Sequence, residues 1–211
     1  MDISDIRRRL LKDPIFRSLI TSTLALGWNL FYALFNVILG IHFRSYWFLS
    51  LFAYYLLLGI MRGYVVLWRH RSRDLAGPMF RNGGIGLIIL SVFLSFVICM
   101  GIAEKHNPWY PKTVIYAIAA LTFYMTVMAI ISAVKAHGRD NATYILLRDI
   151  ALVSVIGSVL SLERSMLGMF GVPEDSFTDM MEEVTGAVGV ALILMIAVLL
   201  LRRSKRAGKS V

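Results

Sequence analysis

The chain has 211 residues, 58% hydrophobic and 17% charged, with a formal net charge of +9 and a mean hydropathy of +0.70. Soluble domains run at roughly 45–50% apolar and about 25% charged. A water-soluble enzyme, a disordered chain and a disulfide-stapled secreted domain are therefore excluded, the last also by the single cysteine, Cys99.

Residues 1–13 set Ile3, Ile6, Leu10 and Leu11 at helical spacing around Arg7, Arg8 and Arg9. This is the pattern of a short basic helix lying on an anionic inner leaflet. No small-residue cleavage site follows a short apolar core, so a cleaved signal peptide is not expected. Asp13-Pro14 reads as the cap and first turn of a new helix. Six apolar blocks follow, at about 18–41, 45–68, 82–103, 113–135, 144–164 and 182–201. Each approaches the roughly 20 residues that cross about 30 Å of hydrocarbon. In lipid only a helix satisfies its own backbone, so the predicted fold is an all-α bundle of six transmembrane helices. The fifth block is the hardest to place. Its uncharged part, 150–162, is too short to span, and the full length takes in Arg148 and Asp149; a re-entrant or interfacial helix is the alternative. Gly77-Pro78 is expected to break the loop after the second span, and Asn107-Pro108-Trp109-Tyr110-Pro111 to make a rigid turn after the third. Trp47, Trp68 and Trp109 fall at span ends, as an interfacial aromatic belt requires, whereas Trp28 lies deeper. A basic tail, 202–211, closes the chain.

Charge sets the expected orientation. With a cytoplasmic N-terminus and six crossings, the inner side holds Arg7, Arg8, Arg9, Lys12, Arg17, Arg69, Arg71, Arg73, Arg81, Lys135, Arg139, Arg202, Arg203, Lys205, Arg206 and Lys209. The outer side holds Arg44, Lys105, Lys112 and Arg164. So strong a bias predicts a multi-pass protein of a bacterial-type inner membrane with both termini cytoplasmic. If the fifth block did not cross, the basic tail would face outward. Arg7, Arg8, Arg9, Arg202 and Arg203 are expected to meet anionic headgroups, and the basic charge is thereby accounted for without nucleic acid. Glu104, Glu163, Glu174, Asp175, Asp179, Glu182 and Glu183 fall outside, read as a solvated acidic surface rather than a cation vestibule.

Sliding the chain by 98 residues superposes Gly40 on Gly138, Tyr46 on Tyr144, Leu49 on Leu147, Ala53 on Ala151 and Gly59 on Gly157; Leu94 on Leu192 and Ile98 on Ile196 keep the register. The loop after the first span then matches the loop after the fourth. Three spans per unit invert the second unit, the arrangement of many secondary transporters, whose substrates sit near the midplane.

Polar residues inside the blocks are the candidate site. Asn29, Tyr32 and Asn36 share one face of the first span, and Thr122 and Thr126 one face of the fourth. They are read as lining a polar pathway, with hydrogen bonding between helices as the plainer alternative. Arg62, Arg148 and Asp149 are charges at membrane depth, where pairing is expected. Arg62 and Asp149 lie at compatible depth for an ion pair. Ser154, Ser158, Ser161 and Ser165 form a small-residue stripe with Gly157, read as close helix packing; Gly83, Gly84, Gly86, Gly186 and Gly189 are expected to act alike. Glu163 and Arg164, at the outer end of the fifth span, are expected in solvent.

His42, His70, His106 and His137 lie at span ends or in loops without metal-ligand spacing, and no Gly-x-Ser-x-Gly, His-Glu-x-x-His or Walker loop is present. Ser158 has no histidine within a span to activate it. No enzyme and no cofactor is expected. The segments Tyr54-Tyr55-Leu56-Leu57-Leu58-Gly59-Ile60-Met61-Arg62 and Thr185-Gly186-Ala187-Val188 resemble those of uncharacterised six-span membrane proteins of Gram-positive bacteria, a resemblance that implies no activity. In size and span count the chain is also similar to the substrate-binding subunits of energy-coupling-factor vitamin transporters. The leading expectation is a small transporter or channel-like permease, as a homo-oligomer or alone. The alternatives are a non-catalytic membrane subunit that docks a partner and, third, a lipid-acting membrane enzyme.

Overall fold

The computed structural model describes residues 14–68, 76–103, 111–136, 142–170 and 176–207. These form six helices: α1 (Pro14–Phe43), α2 (Tyr46–Trp68), α3 (Ala76–Ala103), α4 (Lys112–Ala136), α5 (Ala142–Phe170) and α6 (Ser176–Ala207). Among the described residues there is no strand. All six helices carry a stretch long and apolar enough to cross a membrane. The expected basic helix at 1–13 with Arg7, Arg8 and Arg9, the Asp13 cap, and the turn at 107–110 lie outside the described residues. Arg202 and Arg203 are exposed on the last turns of α6.

The helices run past several expected span ends, and two differences matter structurally. Helix α3 starts at Ala76, so Gly77-Pro78 sits in its first turn instead of breaking a loop. Proline is tolerated there because the N–H it lacks has no partner in a first turn. Helix α5 is continuous over 29 residues, about 43 Å at 1.5 Å per residue. Arg148 and Asp149 are therefore part of one unbroken helix long and apolar enough to span, without the break a re-entrant segment would need.

Helix direction alternates along the chain. The end of the bundle where α1 starts and α6 finishes is called the termini end here, and the opposite one the far end. Helices α1 and α2 form a hairpin, α4 and α5 a second, and α3 pairs closely with α6. Helix α2 also packs on α3 and α5, and α5 on α6 and α3. The α3–α6 approach depends on small residues: a Cβ on Gly84 would meet Leu201 Cγ at 2.8 Å and the Ala197 carbonyl at 3.2 Å. Within the first hairpin, Ser45 N–H bonds the Gly40 carbonyl at 3.1 Å, and Arg44 takes a positive φ of 51°. This six-to-one bond closes α1 in a Schellman turn, with arginine where glycine is usual.

Helix α5 lies deepest. Of its span 56% is buried inside the bundle, against 28–39% for the other five. It is also the span whose core carries the most hydroxyls and whose ends carry charge, so polarity and burial coincide. The lipid-facing surface is made of residues such as Leu30, Leu34, Ile38 and Ile41 on α1 and Val184, Val188, Leu192 and Met195 on α6. Trp47 departs from the aromatic-belt expectation: it is 4% exposed and faces the bundle.

Candidate functional site

Asn29, Tyr32 and Asn36 are all buried, while Leu30, Leu34 and Ile38 on the other side of α1 are exposed. A charge-free polar face in a lipid-spanning helix must turn inward, because lipid offers it no partner. It meets Tyr55 of α2, Thr122 of α4 and Ser161 of α5, whose side chains surround the Tyr32 hydroxyl together with Asn36. Tyr32 lies eleven residues from the far end of α1, Tyr55 nine from the start of α2, and Thr122 ten from the start of α4. At 1.5 Å per residue these depths are about 14–17 Å, near the middle of a hydrocarbon core of about 30 Å.

Much of the surrounding polarity is satisfied. Tyr54 OH donates to the Val153 carbonyl at 2.9 Å and Tyr55 OH to the Ser154 carbonyl at 3.2 Å. Thr122 Oγ1 donates to the Ser158 carbonyl at 3.2 Å. Asn36 Nδ2 bonds the Tyr32 carbonyl one turn back at 2.7 Å. Ser154 and Ser158 bond carbonyls of their own helix at 2.9 Å each. The rings of Tyr32 and Tyr55 meet edge to face, centroids 4.5 Å apart. Gly157 makes room for this: a Cβ there would stand 2.5 Å from Tyr54 Cε1 and 3.1 Å from Tyr55 OH.

On α1 and α5 four buried polar atoms make no hydrogen bond of good geometry: Trp28 Nε1, Asn29 Nδ2, Tyr32 OH and Ser161 Oγ, the last two within reach of each other. An unmade bond at a buried donor costs about 1–3 kcal/mol, so such atoms mark where something polar is expected to bind. Of the residues proposed from sequence, Tyr32, Asn36 and Thr122 come together, and Asn29 is buried on the same helix. Thr126 does not join them. It is half-buried and its hydroxyl bonds the Thr122 carbonyl of its own helix at 2.9 Å.

The charges pair differently from expectation. Asp149 does not pair with Arg62. Its neighbour Arg148 reaches it first, with Nη2 at 2.7 Å and Nε at 2.9 Å from the same carboxylate oxygen, and Arg203 of α6 is the other cation acting on it. Arg62 is 5% exposed, its Nε has no hydrogen-bond partner, and neither ion pair among the described residues includes it.

At the far end the solvated carboxylate and guanidinium expected at Glu163 and Arg164 are replaced by a clamp. Arg164 is 6% exposed. Its Nη1 donates to Glu182 Oε2 of α6 at 2.6 Å, its Nη2 donates to the Gly101 carbonyl of α3 at 2.7 Å, and its guanidinium lies 4.7 Å over the Trp47 ring of α2. One side chain of α5 thus ties three other helices. Glu163 beside it is half-buried, its Oε1 enclosed and Thr185 of α6 within reach of its carboxylate. The adjoining cleft, bordered by Glu163, Arg164, Glu182 and Thr185, has a volume of about 20 Å³, room for a water molecule and not for a metabolite. Among the described residues no three His, Cys, Asp or Glu side chains gather as a metal would need.

The sequence reading missed Tyr54, Tyr55 and the Arg164 clamp. The signal for the tyrosines was their depth: tyrosine favours the interface, so a pair in mid-span needs internal partners. Compared with protein-family models, with curated proteins and with solved structures, the chain matches none.

Proposed function

We propose that the chain is a small permease, built of two inverted halves of three helices with both termini cytoplasmic, that passes a small polar solute by the Tyr32 cluster. The observation that carries this reading is the buried polar group at Tyr32, where side chains of α2, α4 and α5 converge on one hydroxyl and neither that hydroxyl nor Ser161 Oγ makes a hydrogen bond of good geometry. Four helices converge there, two from each half, near mid-depth. The order of packing agrees with the inverted repeat. Exchanging α1, α2 and α3 for α4, α5 and α6 turns the first hairpin into the second and the α2–α3 contact into the α5–α6 contact, and maps the α2–α5 and α3–α6 pairs onto themselves. The α3–α5 contact is the exception. At the α2–α5 crossing Tyr55 lies beside Ser154, one residue from its repeat equivalent Val153, as an axis through that crossing requires.

The test is flux. Purified protein is reconstituted into liposomes, and uptake of a panel of radiolabelled ions and small neutral solutes is followed with and without the paired replacement Tyr32→Phe and Ser161→Ala. Protein-dependent uptake of at least one solute, reduced at least tenfold in the double variant while its elution profile is unchanged, is expected. Liposomes no more permeable than protein-free ones to the whole panel would refute the reading.

A further inference from the structure

We infer that the solute is a small oxyanion, of the carboxylate or phosphate class, and that Arg62 is its binding site on the termini side; the inference rests on the permease reading for its word solute, and on Arg62 itself for the site. Arg62 occupies the same face of α2 as Leu51, Tyr55 and Leu58, all buried. It stands seven residues, about two turns or 10 Å, from Tyr55 and six from the helix end at Trp68. The guanidinium is therefore inside the bundle, between the termini end and the Tyr32 cluster, on one line with it.

Three observations point to an anion. Arg62 is a buried arginine whose Nε is unpartnered and which makes no ion pair among the described residues, and at membrane depth such a charge is costly until a counter-charge meets it. The planar fork of arginine fits a carboxylate or phosphate. Second, the buried atoms of α1 and α5 that lack a well-formed hydrogen bond are donors. Trp28 Nε1 and Asn29 Nδ2 donate only, and the Tyr32 and Ser161 hydroxyls have protons to give. Among the described residues no carboxylate is buried with them to hold a cation, and the N–H groups would repel one; an oxyanion finds a hydrogen-bond donor at each. Third, Arg81, Arg202, Arg203, Lys205 and Arg206 are exposed at the termini end, a field that concentrates anions at the approach to Arg62. Among the described residues the buried carboxylate of α5, Asp149, is already held by Arg148.

The same chemistry is offered by a free anion and by a lipid headgroup, and the experiment separates them. The melting temperature of the purified full-length protein in a neutral detergent is read while sodium chloride is exchanged, at constant ionic strength, for sodium phosphate or sodium acetate. In a parallel series sodium is exchanged for potassium or lithium, and in a third dioleoylphosphatidylglycerol is added to the micelles. A saturable rise of about 5–11 °C is expected at a hundredfold excess of the bound anion over its dissociation constant, with no response to the cation series. Arg62→Gln removes the rise and Arg62→Lys retains part of it. A rise with the lipid alone places a headgroup phosphate on Arg62; a rise with phosphate or acetate places a free anion there. No rise with any of them in the wild-type protein overturns the inference even if Arg62→Gln does not fold, and so does a rise that Arg62→Gln leaves intact. The two readings fail separately. An anion-dependent rise without flux of any solute overturns the permease reading and leaves the Arg62 site standing. Flux of a neutral solute or cation without an anion-dependent rise does the reverse.

Discussion

Replacing Arg164 with Met is the sharpest perturbation the bundle offers. The substitution preserves bulk and apolar stem while deleting the charge. It breaks a 2.6 Å ion pair to Glu182 whose side chains are 7% and 14% exposed, removes the donor to the Gly101 carbonyl, and takes the cation from the face of Trp47. Breaking a buried pair from one side costs about 3–5 kcal/mol, because the remaining charge has lost its counter-ion. A chain of this length loses about 2–4 °C per kcal/mol, so a fall of about 6–20 °C is expected. The assay is thermal denaturation in detergent, read as the fraction still monodisperse after heating. Glu182→Gln alone is expected to cost less, since the amide still accepts from Arg164. The double variant Arg164→Met with Glu182→Gln is expected to recover part of the loss, and the non-additivity measures the pair itself. If Arg164→Met melts within 2 °C of the wild type, Arg164 is not a clamp.

Three further outcomes follow from the geometry. Gly157→Ala forces a Cβ against Tyr54, a fully buried ring whose hydroxyl is held by the Val153 carbonyl; overpacking is expected to lower stability by about 1–3 kcal/mol, whereas Gly63→Ala, with open space around it, is expected to be neutral or to stabilise by up to about 1 kcal/mol in the same melting assay. At Arg44, where φ is positive, Arg44→Gly should melt higher than Arg44→Val, the two differing by about 1–2 kcal/mol; equal melting temperatures would count against the Schellman turn. Reporter fusions at Val211 and in the loop at Asp175 are expected to give a cytoplasmic and a periplasmic signal respectively, and a periplasmic signal from Val211 would refute the proposed orientation.

What could be read in the sequence follows from what lipid enforces. Backbone satisfaction and a fixed hydrocarbon thickness leave little freedom, so six apolar blocks became six helices. The inward face of α1 was legible for the same reason: two amides seven residues apart have nowhere else to go. Pairing was less legible, because depth restricts which charges can meet but not which reach first. Arg62 and Asp149 were placed at compatible depth, yet Arg148, one residue away, takes Asp149 with two donors. The far-end charges misled in the opposite direction. Glu163 and Arg164 follow an uncharged run and read as its solvated end, but α5 is the most enclosed helix, and what ends at its Arg164 is three neighbouring helices rather than water. That enclosure ties the two sites together. The hydroxyls of α5 are buried because lipid excludes them, and a helix held inside the bundle brings Ser161 to Tyr32 and, one turn on, Arg164 to Glu182. Loosening the clamp should therefore disturb the Tyr32 cluster before it unfolds the bundle, since Ser161 precedes Arg164 by three residues on the same helix. Solute flux through Arg164→Met, assayed below its melting temperature, tests this coupling, and flux equal to that of the wild type would show that the clamp only holds the far end closed.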